Sequence, residues 1–255
     1  MINAFYKKYQ KHFDVSENNF AHFVMWSCGG ICIGFVIGLV GIAFHLALEW
    51  ATEFRTAHPM LLWLLPFGGL AIVLAYRLAG QEKDRGTNFI LVAVRANEAV
   101  TLRTAPLIFF STVVTHLLGG SAGREGAALQ LGGSIASSFG RMFQLNEREG
   151  RIMTMCGMAA GFAALFGTPL TSVIFAMEVI TVGVMHYSAI VPCIISALVA
   201  AGLSQAVGIA PTTFSIAHIP TAVGLENCFR AAVLGVLCAV LSVLFCIVME
   251  HVGGA

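Results

Sequence analysis

Charged residues are scarce in this sequence. Only 11% of the 255 residues are Asp, Glu, Lys or Arg, whereas roughly 25% is usual for a soluble domain. The formal net charge of +1 excludes a strongly basic surface, so no nucleic-acid partner is expected. Apolar residues make up 58% of the chain instead. Because an ordinary soluble core does not need that much apolar surface, the composition predicts an integral membrane protein.

Motifs for metal binding and disulfides are also absent. The seven cysteines are scattered through apolar runs without CxxC or Cys/His spacing, so neither a zinc site nor a disulfide framework is expected. No HExxH motif and no convincing pair of aspartates occurs, so we expect neither an enzyme nor a bound cofactor. Residues 1–19 lack the apolar stretch of a cleaved signal and are predicted to form a cytoplasmic N-terminal arm.

Several uncharged runs are long enough to cross a bilayer as helices. Residues 23–48 contain no Asp, Glu, Lys or Arg, and about 20 such residues suffice for one span. Basic residues flank the start of this run and the end of the next one, which places both on the cytoplasmic side. We therefore expect an all-α, multi-pass protein of the plasma membrane with a cytoplasmic N-terminus. Its other predicted spans are residues 60–76, 187–208 and 229–248, and residues 104–123 form a further uncharged run. A short polar turn is predicted from Glu49 to Pro59, and the charged residues 146–151 are predicted to form a solvated loop that runs into the next helix.

Glycines predict how some of these helices pack and break. Gly30, Gly34 and Gly38 recur every four residues, so they line one helical face that another helix can approach closely. Residues 152–177 are interrupted by several glycines and by Pro169. Proline favours the first position of a helix, so we divide this region into two half-length helices.

The most informative stretch is residues 119–133, where Arg124 and Glu125 lie between two uncharged runs. A charge inside a membrane is costly, so function is the default hypothesis for this pair, which we expect to be buried. A helix is predicted to begin near Glu125, and helix N-termini bind anions through unpaired N–H groups. Thr87 lies in a weaker candidate helix start, and His116 is interpreted as a packed, hydrogen-bonded residue.

At this point the residues resemble a known family. Gly123-Arg124-Glu125-Gly126, followed by Gln130 and Gly132-Gly133, is similar to the gating-glutamate motif of the CLC chloride channels and transporters. Residues 157–170, with Phe175 and Glu178, resemble a second motif of that family in the expected order. The resemblance covers only the first half of the family's inverted repeat. It implies a first repeat at residues 20–208, an inter-repeat linker at 209–225, and the first helix of a truncated second repeat at 226–255.

The resemblance also implies a mechanism and its residues. Glu125 would act as a protonatable gate that blocks an anion site when ionised. Glu178 would lie on a candidate proton path. A homodimer is implied, with the missing second half supplied by a full-length chain or by a second polypeptide. The residues expected to bind the anion are Thr87, Gly123, Arg124, Gly126, Phe162 and Ala163.

Two departures from the chloride members bear on the ion. Val179 occupies the position of their internal proton glutamate, and Ala127 replaces their usual proline. Both features are similar to the fluoride-exporting branch, so fluoride/proton antiport is the favoured function. The first alternative is a chloride channel or a chloride/proton antiporter. The second is a membrane interaction protein, or an inactive remnant, that transports nothing.

Overall fold

The described part of the chain is entirely helical. The computed structural model describes residues 19–81, 100–180, 187–209 and 224–253, and no strand occurs among them. This confirms the predicted all-α class. The predicted N-terminal arm, Thr87 and most of the predicted linker lie outside the described residues.

Eight α-helices and two 3-10 helices follow one another along these ranges. The 3-10 helices are Pro59–Leu64 and Tyr187–Ala189. The α-helices are α1 (Asn19–Ala57), α2 (Leu65–Leu78), α3 (Thr104–Leu117), α4 (Glu125–Met142), α5 (Glu147–Phe166), α6 (Pro169–Glu178), α7 (Ile190–Ala206) and α8 (Leu225–Gly253).

Four helical segments are long and apolar enough to cross a membrane. They agree with the four predicted spans, whereas the uncharged run at residues 104–123 contains α3, a shorter apolar helix of 14 residues. The chain therefore has the composition and helix lengths of a multi-pass membrane protein. The four segments are Phe23–Ala57, Pro59–Leu78, Tyr187–Ala206 and Leu225–Val252.

Helix α1 extends further than the sequence predicts. We expected a polar turn from Glu49 onward, but the helix continues to Ala57. It ends next to His58-Pro59, because the residue before a proline is disfavoured in the α conformation. The prediction of an early turn was therefore wrong, and two extra helical turns carry the carboxylates of Glu49 and Glu53.

Helices α1 and α7 run parallel and in close contact. A Cβ built on Gly34 would lie 2.5 Å from the carbonyl oxygen of Ser196, and one on Gly30 would lie 2.9 Å from that of Pro192. Gly38 faces Ala200 in the same register. The predicted role of these three glycines is confirmed, because no larger residue fits between the two backbones.

Two serine hydroxyls join α7 to α5. The Oγ of Ser196 donates a hydrogen bond to the carbonyl oxygen of Cys156 at 3.0 Å, and that of Ser204 donates to Ala164 at 2.7 Å. Both serines are buried. Interhelical hydrogen bonds satisfy polar groups that would otherwise face hydrocarbon, so they help to hold these parallel helices together.

Helices α4 and α5 form an antiparallel pair that buries much of both. A Cβ on Gly132 would collide with the carbonyl oxygen of Gly157, and one on Gly161 would lie 2.7 Å from that of Ala128. Helix α5 ends at Gly167, whose φ of +63° suits glycine, and Pro169 occupies the first turn of α6. The predicted division into two shorter helices is thus confirmed.

The charged window at residues 146–151 belongs mainly to α5, although the sequence interpretation made it a solvated loop. The side chain of Asn146 accepts a hydrogen bond from the backbone N–H of Glu149, and the Glu149 carboxylate accepts one from the N–H of Asn146. This reciprocal capping box begins the helix at Glu147. An Asn followed three residues later by Glu was the signal that could have revealed it.

Replacing Asn146 by Ala is expected to destabilise the start of α5. The change removes one of the two capping hydrogen bonds, so we expect a loss of about 1 kcal/mol in the free energy of unfolding. Denaturation of the detergent-solubilised chain measures it. Glu149→Ala and the double variant Asn146→Ala with Glu149→Ala complete a double-mutant cycle. If the loss of unfolding free energy in the double variant equalled the sum of the two single losses, the two capping hydrogen bonds would not support each other, which would contradict a reciprocal box.

The chain divides into two compact units, Met1–Thr212 and Thr213–Ala255. In the second unit the structure describes α8, an apolar helix of 29 residues whose large side chains, such as Leu234 and Phe245, are exposed. Its assignment to a second repeat stays a prediction.

Candidate functional site

The first turn of α4 presents unpaired backbone donors beside a carboxylate. Arg124 occupies the N-cap position, and its carbonyl oxygen accepts the N–H of Ala128 at 2.9 Å. The N–H groups of Glu125, Gly126 and Ala127 precede that first helical bond, so the helix itself offers them no acceptor. Together with the positive end of the helix dipole, they favour a negative charge at this point.

The Glu125 side chain turns back toward the preceding loop. A Cβ built on Gly123 would lie only 2.7 Å from Oε2 of Glu125, so the carboxylate occupies the space that a side chain at position 123 would need. Glycine at this position therefore allows the carboxylate to approach the backbone before the helix. The predicted helix start at Glu125 is confirmed.

The expected burial of the Arg124-Glu125 pair was wrong for the structure described here. Glu125 is exposed and Arg124 is half-buried. Both residues lie before the buried part of α4, which begins with Ala127 and Ala128. Glu125 thus stands at the edge of the helix packing.

Phe162 and Ala163 lie near this helix start but not in the expected geometry. They follow Gly161, which contacts Ala128 in the first turn of α4. Both residues are within α5, where backbone N–H groups bond to carbonyls one turn earlier. The Phe162 ring lies against Phe166, with ring centroids 4.4 Å apart. The backbone N–H groups of Phe162 and Ala163 are therefore used inside α5 and are not free to bind an anion.

The other predicted site residues are spread along the chain. Gly123, Arg124 and Gly126 adjoin Glu125 directly. Glu178 is half-buried at the end of α6. Thr87 lies outside the described residues.

An open cleft of about 560 Å³ lies beside Arg124. The sequence interpretation missed it, because its wall combines residues from α1, from α3 and from the loop before α4. His45, Glu49 and Glu53 recur every four residues on α1, and this spacing was the signal that could have found part of it. The lining residues are His45, Leu48, Glu49, Thr52, Glu53, His116 and Arg124.

Across the described ranges, no group of three or more His, Cys, Asp or Glu side chains is arranged to hold a metal ion.

Comparison with known proteins identifies the family of this chain. Residues 68–254 match the family model described as voltage gated chloride channel. The chain belongs to this family. This match confirms its resemblance to the CLC proteins.

Two relatives illustrate the range of proteins to which the chain is similar. It is 36% identical over 222 residues to a chloride/fluoride channel protein of Pseudomonas syringae pv. tomato, an alignment that covers 87% of this chain and 49% of the relative. It is 34% identical over 160 residues to the H(+)/Cl(-) exchange transporter ClcA of Cronobacter sakazakii, which covers 57% of this chain and 34% of the relative.

Solved structures of the family share the fold. A CLC-type fluoride/proton antiporter superposes with a TM-score of 0.72 at 34% identity, over 82% of this chain and 52% of the antiporter. A slow cyanobacterial Cl-/H+ antiporter gives a TM-score of 0.61 at 21% identity, over 85% and 54% of the two chains. The chain thus spans about half the length of these members of the family.

Proposed function

We propose that this chain takes part in halide transport across a membrane, as a fluoride/proton antiporter in which Glu125 is the protonatable gate. The observation that carries the proposal is the position of Glu125. Its carboxylate adjoins Gly123 at a helix start whose first N–H groups have no acceptor within the helix. One place can therefore attract either this carboxylate or a free anion.

The proposed mechanism is a competition for that place. An ionised Glu125 occupies the positive potential at the start of α4 and excludes the halide. A proton on the carboxylate removes its charge, so the side chain leaves and the halide enters. Gly123, Arg124 and Gly126 are the proposed halide contacts through their backbone N–H groups, with the Thr87 hydroxyl as a further donor. We assign no such contact to Phe162 and Ala163, and Glu178 stays a candidate for the proton path.

Fluoride is favoured over chloride for two reasons. Val179 stands where the sequence resemblance places the internal glutamate of chloride exchangers. A chloride/fluoride channel protein and a CLC-type fluoride/proton antiporter are also 36% and 34% identical to this chain. Chloride is the runner-up, because transporters named for chloride exchange are similar to it as well.

The ion is tested with membrane vesicles from the native organism, loaded with equal fluoride and chloride. Ion-selective electrodes record both effluxes, and vesicles from a strain lacking the gene provide the baseline. We expect fluoride efflux that depends on the gene and is accompanied by proton movement in the opposite direction. Gene-dependent chloride efflux alone would favour the runner-up. Equal fluxes with and without the gene would contradict a transport function and would favour the alternative of a membrane interaction protein.

We further propose that a second half completes the pathway, either in a longer form of this chain or in a second polypeptide. The support is that the matching family members extend over about twice the aligned length. We expect a homodimer in the plasma membrane with a cytoplasmic N-terminus. Liposomes that contain only the purified chain should then move no halide, and efflux from them would show that this half is sufficient.

A further inference from the structure

The open cleft beside Arg124 brings together ionisable groups from separate parts of the chain. His45, Glu49 and Glu53 lie on one face of α1, and His116 lies in the last turn of α3. Arg124 directly precedes Glu125. We call this feature the histidine cleft; its ionisable residues are His45, Glu49, Glu53, His116 and Arg124. Histidine is the side chain that changes charge between pH 5 and 8, so two histidines in one cleft suit proton exchange.

The ring of His116 is held in one tautomer. Its Nδ1 lies 2.8 Å from the carbonyl oxygen of Thr112. A carbonyl oxygen can only accept, so Nδ1 carries a hydrogen and donates it. The neutral ring therefore keeps Nε2 free of hydrogen, and this nitrogen can bind a proton that enters the cleft. The hydrogen bond seen at Nδ1 persists in both charge states.

His45 combines burial with one unpartnered nitrogen. Its Nε2 lies 3.8 Å from Oε2 of Glu49, and the two side chains are 15% and 58% exposed. Its Nδ1 is buried and has no hydrogen-bond partner among the described residues. Leaving a buried polar atom unpaired is unfavourable, so this nitrogen is open to a partner that enters the cleft.

The remaining charges of the cleft have opposite signs. Glu49 and Glu53 add two carboxylates that attract protons and small cations, and Arg124 adds one fixed positive charge next to the gate. Arg55 lies two residues after Glu53, and its side chain is beside Gly119 in the loop before α4. The carboxylates of Glu49 and Glu53 thus favour a mobile proton on the α1 wall of the cleft.

We propose that the histidine cleft is a proton-exchange site that delivers protons to Glu125, with His45 and His116 as the carriers; this inference rests on the proposed gating function. A proton passes from water or buffer to an imidazole nitrogen and then to the Glu125 carboxylate, which leaves the ring neutral for the next proton. Hydronium is scarce near neutral pH, so carriers beside the gate supply protons faster than water alone does.

The experiment uses native membrane vesicles that carry chromosomal variants of this chain. The double variant His45→Gln with His116→Gln keeps hydrogen-bonding side chains in the cleft but removes both carriers. In weakly buffered medium near pH 7, we expect proton-coupled fluoride efflux to fall by about tenfold or more, since positioned proton carriers contribute large factors. Added imidazole is small enough for an open cleft of about 560 Å³ and should restore most of the flux.

His58→Gln is the matched control. His58 also follows α1, but its ring stacks on Phe54 outside the cleft, so its variant should transport like the wild type. An unchanged flux in the double variant would overturn the cleft proposal, and so would a loss that imidazole does not restore. Glu125→Gln separates the two hypotheses: if it changes the flux while the double histidine variant does not, only the cleft proposal fails.

Discussion

Replacing Glu125 by Gln is expected to make fluoride efflux independent of pH and to abolish the accompanying proton movement. Gln has the shape of a protonated Glu but cannot ionise, so it can neither compete with the halide as an anion nor carry a proton. The start of α4 would then be open to the anion at every pH. Fluoride and pH electrodes on native membrane vesicles measure both effects between pH 5 and pH 8.

Glu147→Gln is the matched control for this variant. Glu147 is also an exposed glutamate at the first position of a helix, but it begins α5 and lies outside the proposed site. We expect its fluxes to equal those of the wild type. If Glu125→Gln retained the full pH dependence and proton coupling, Glu125 would not be the gate, even if transport itself were intact.

Replacing Gly132 by Ala is expected to destabilise the packing of α4 against α5. The new Cβ would collide with the carbonyl oxygen of Gly157, and that backbone cannot move aside as a flexible side chain would. Overpacking of this kind typically costs about 1–3 kcal/mol in the free energy of unfolding. The melting temperature of the detergent-solubilised chain should therefore fall, together with the fluoride flux, because α4 carries Glu125.

Gly202→Ala provides the comparison in another helix. A Cβ at Gly202 in α7 meets nothing within 4 Å, and alanine favours a helix over glycine by about 1 kcal/mol. We expect this variant to be as stable as the wild type or slightly more stable. Equal melting temperatures for the Gly132 and Gly202 variants would show that the α4–α5 contact tolerates a side chain.

Local patterns in the sequence predicted the features that depend on neighbouring residues. Pro169 predicted the start of α6, and the spacing of Gly30 and Gly34 predicted close contact between helices. The partner of those glycines could not be predicted, because nothing in α1 specifies Ser196 in α7. For the candidate site, the sequence predicted the contiguous residues from Gly123 to Gly126, and their role in binding an anion stays a prediction.

The remaining parts of the site depend on tertiary packing. His45 and His116 are far apart in sequence and come to one cleft only because α1, α3 and the start of α4 pack together. A single histidine in an apolar run is more often structural, which is why His116 was interpreted that way. The position of Phe162 and Ala163 inside α5 could not be predicted, because a motif match does not show where a helix begins.

The glycine spacing of α1 does not define a single alignment of this helix along α7. Its three glycines repeat every four residues, so sliding one helix by about 6 Å along the other would bring two of the three glycines opposite equivalent backbone positions again. Glycine spacing by itself thus permits more than one alignment during membrane insertion. The hydroxyl bonds from Ser196 and Ser204 fix α7 on α5. Gly41 of α1 packs against Ala164 of the same helix, where an added Cβ would lie 2.7 Å from that of Ala164. Contact with α5 thus selects the native alignment among those that the glycines allow.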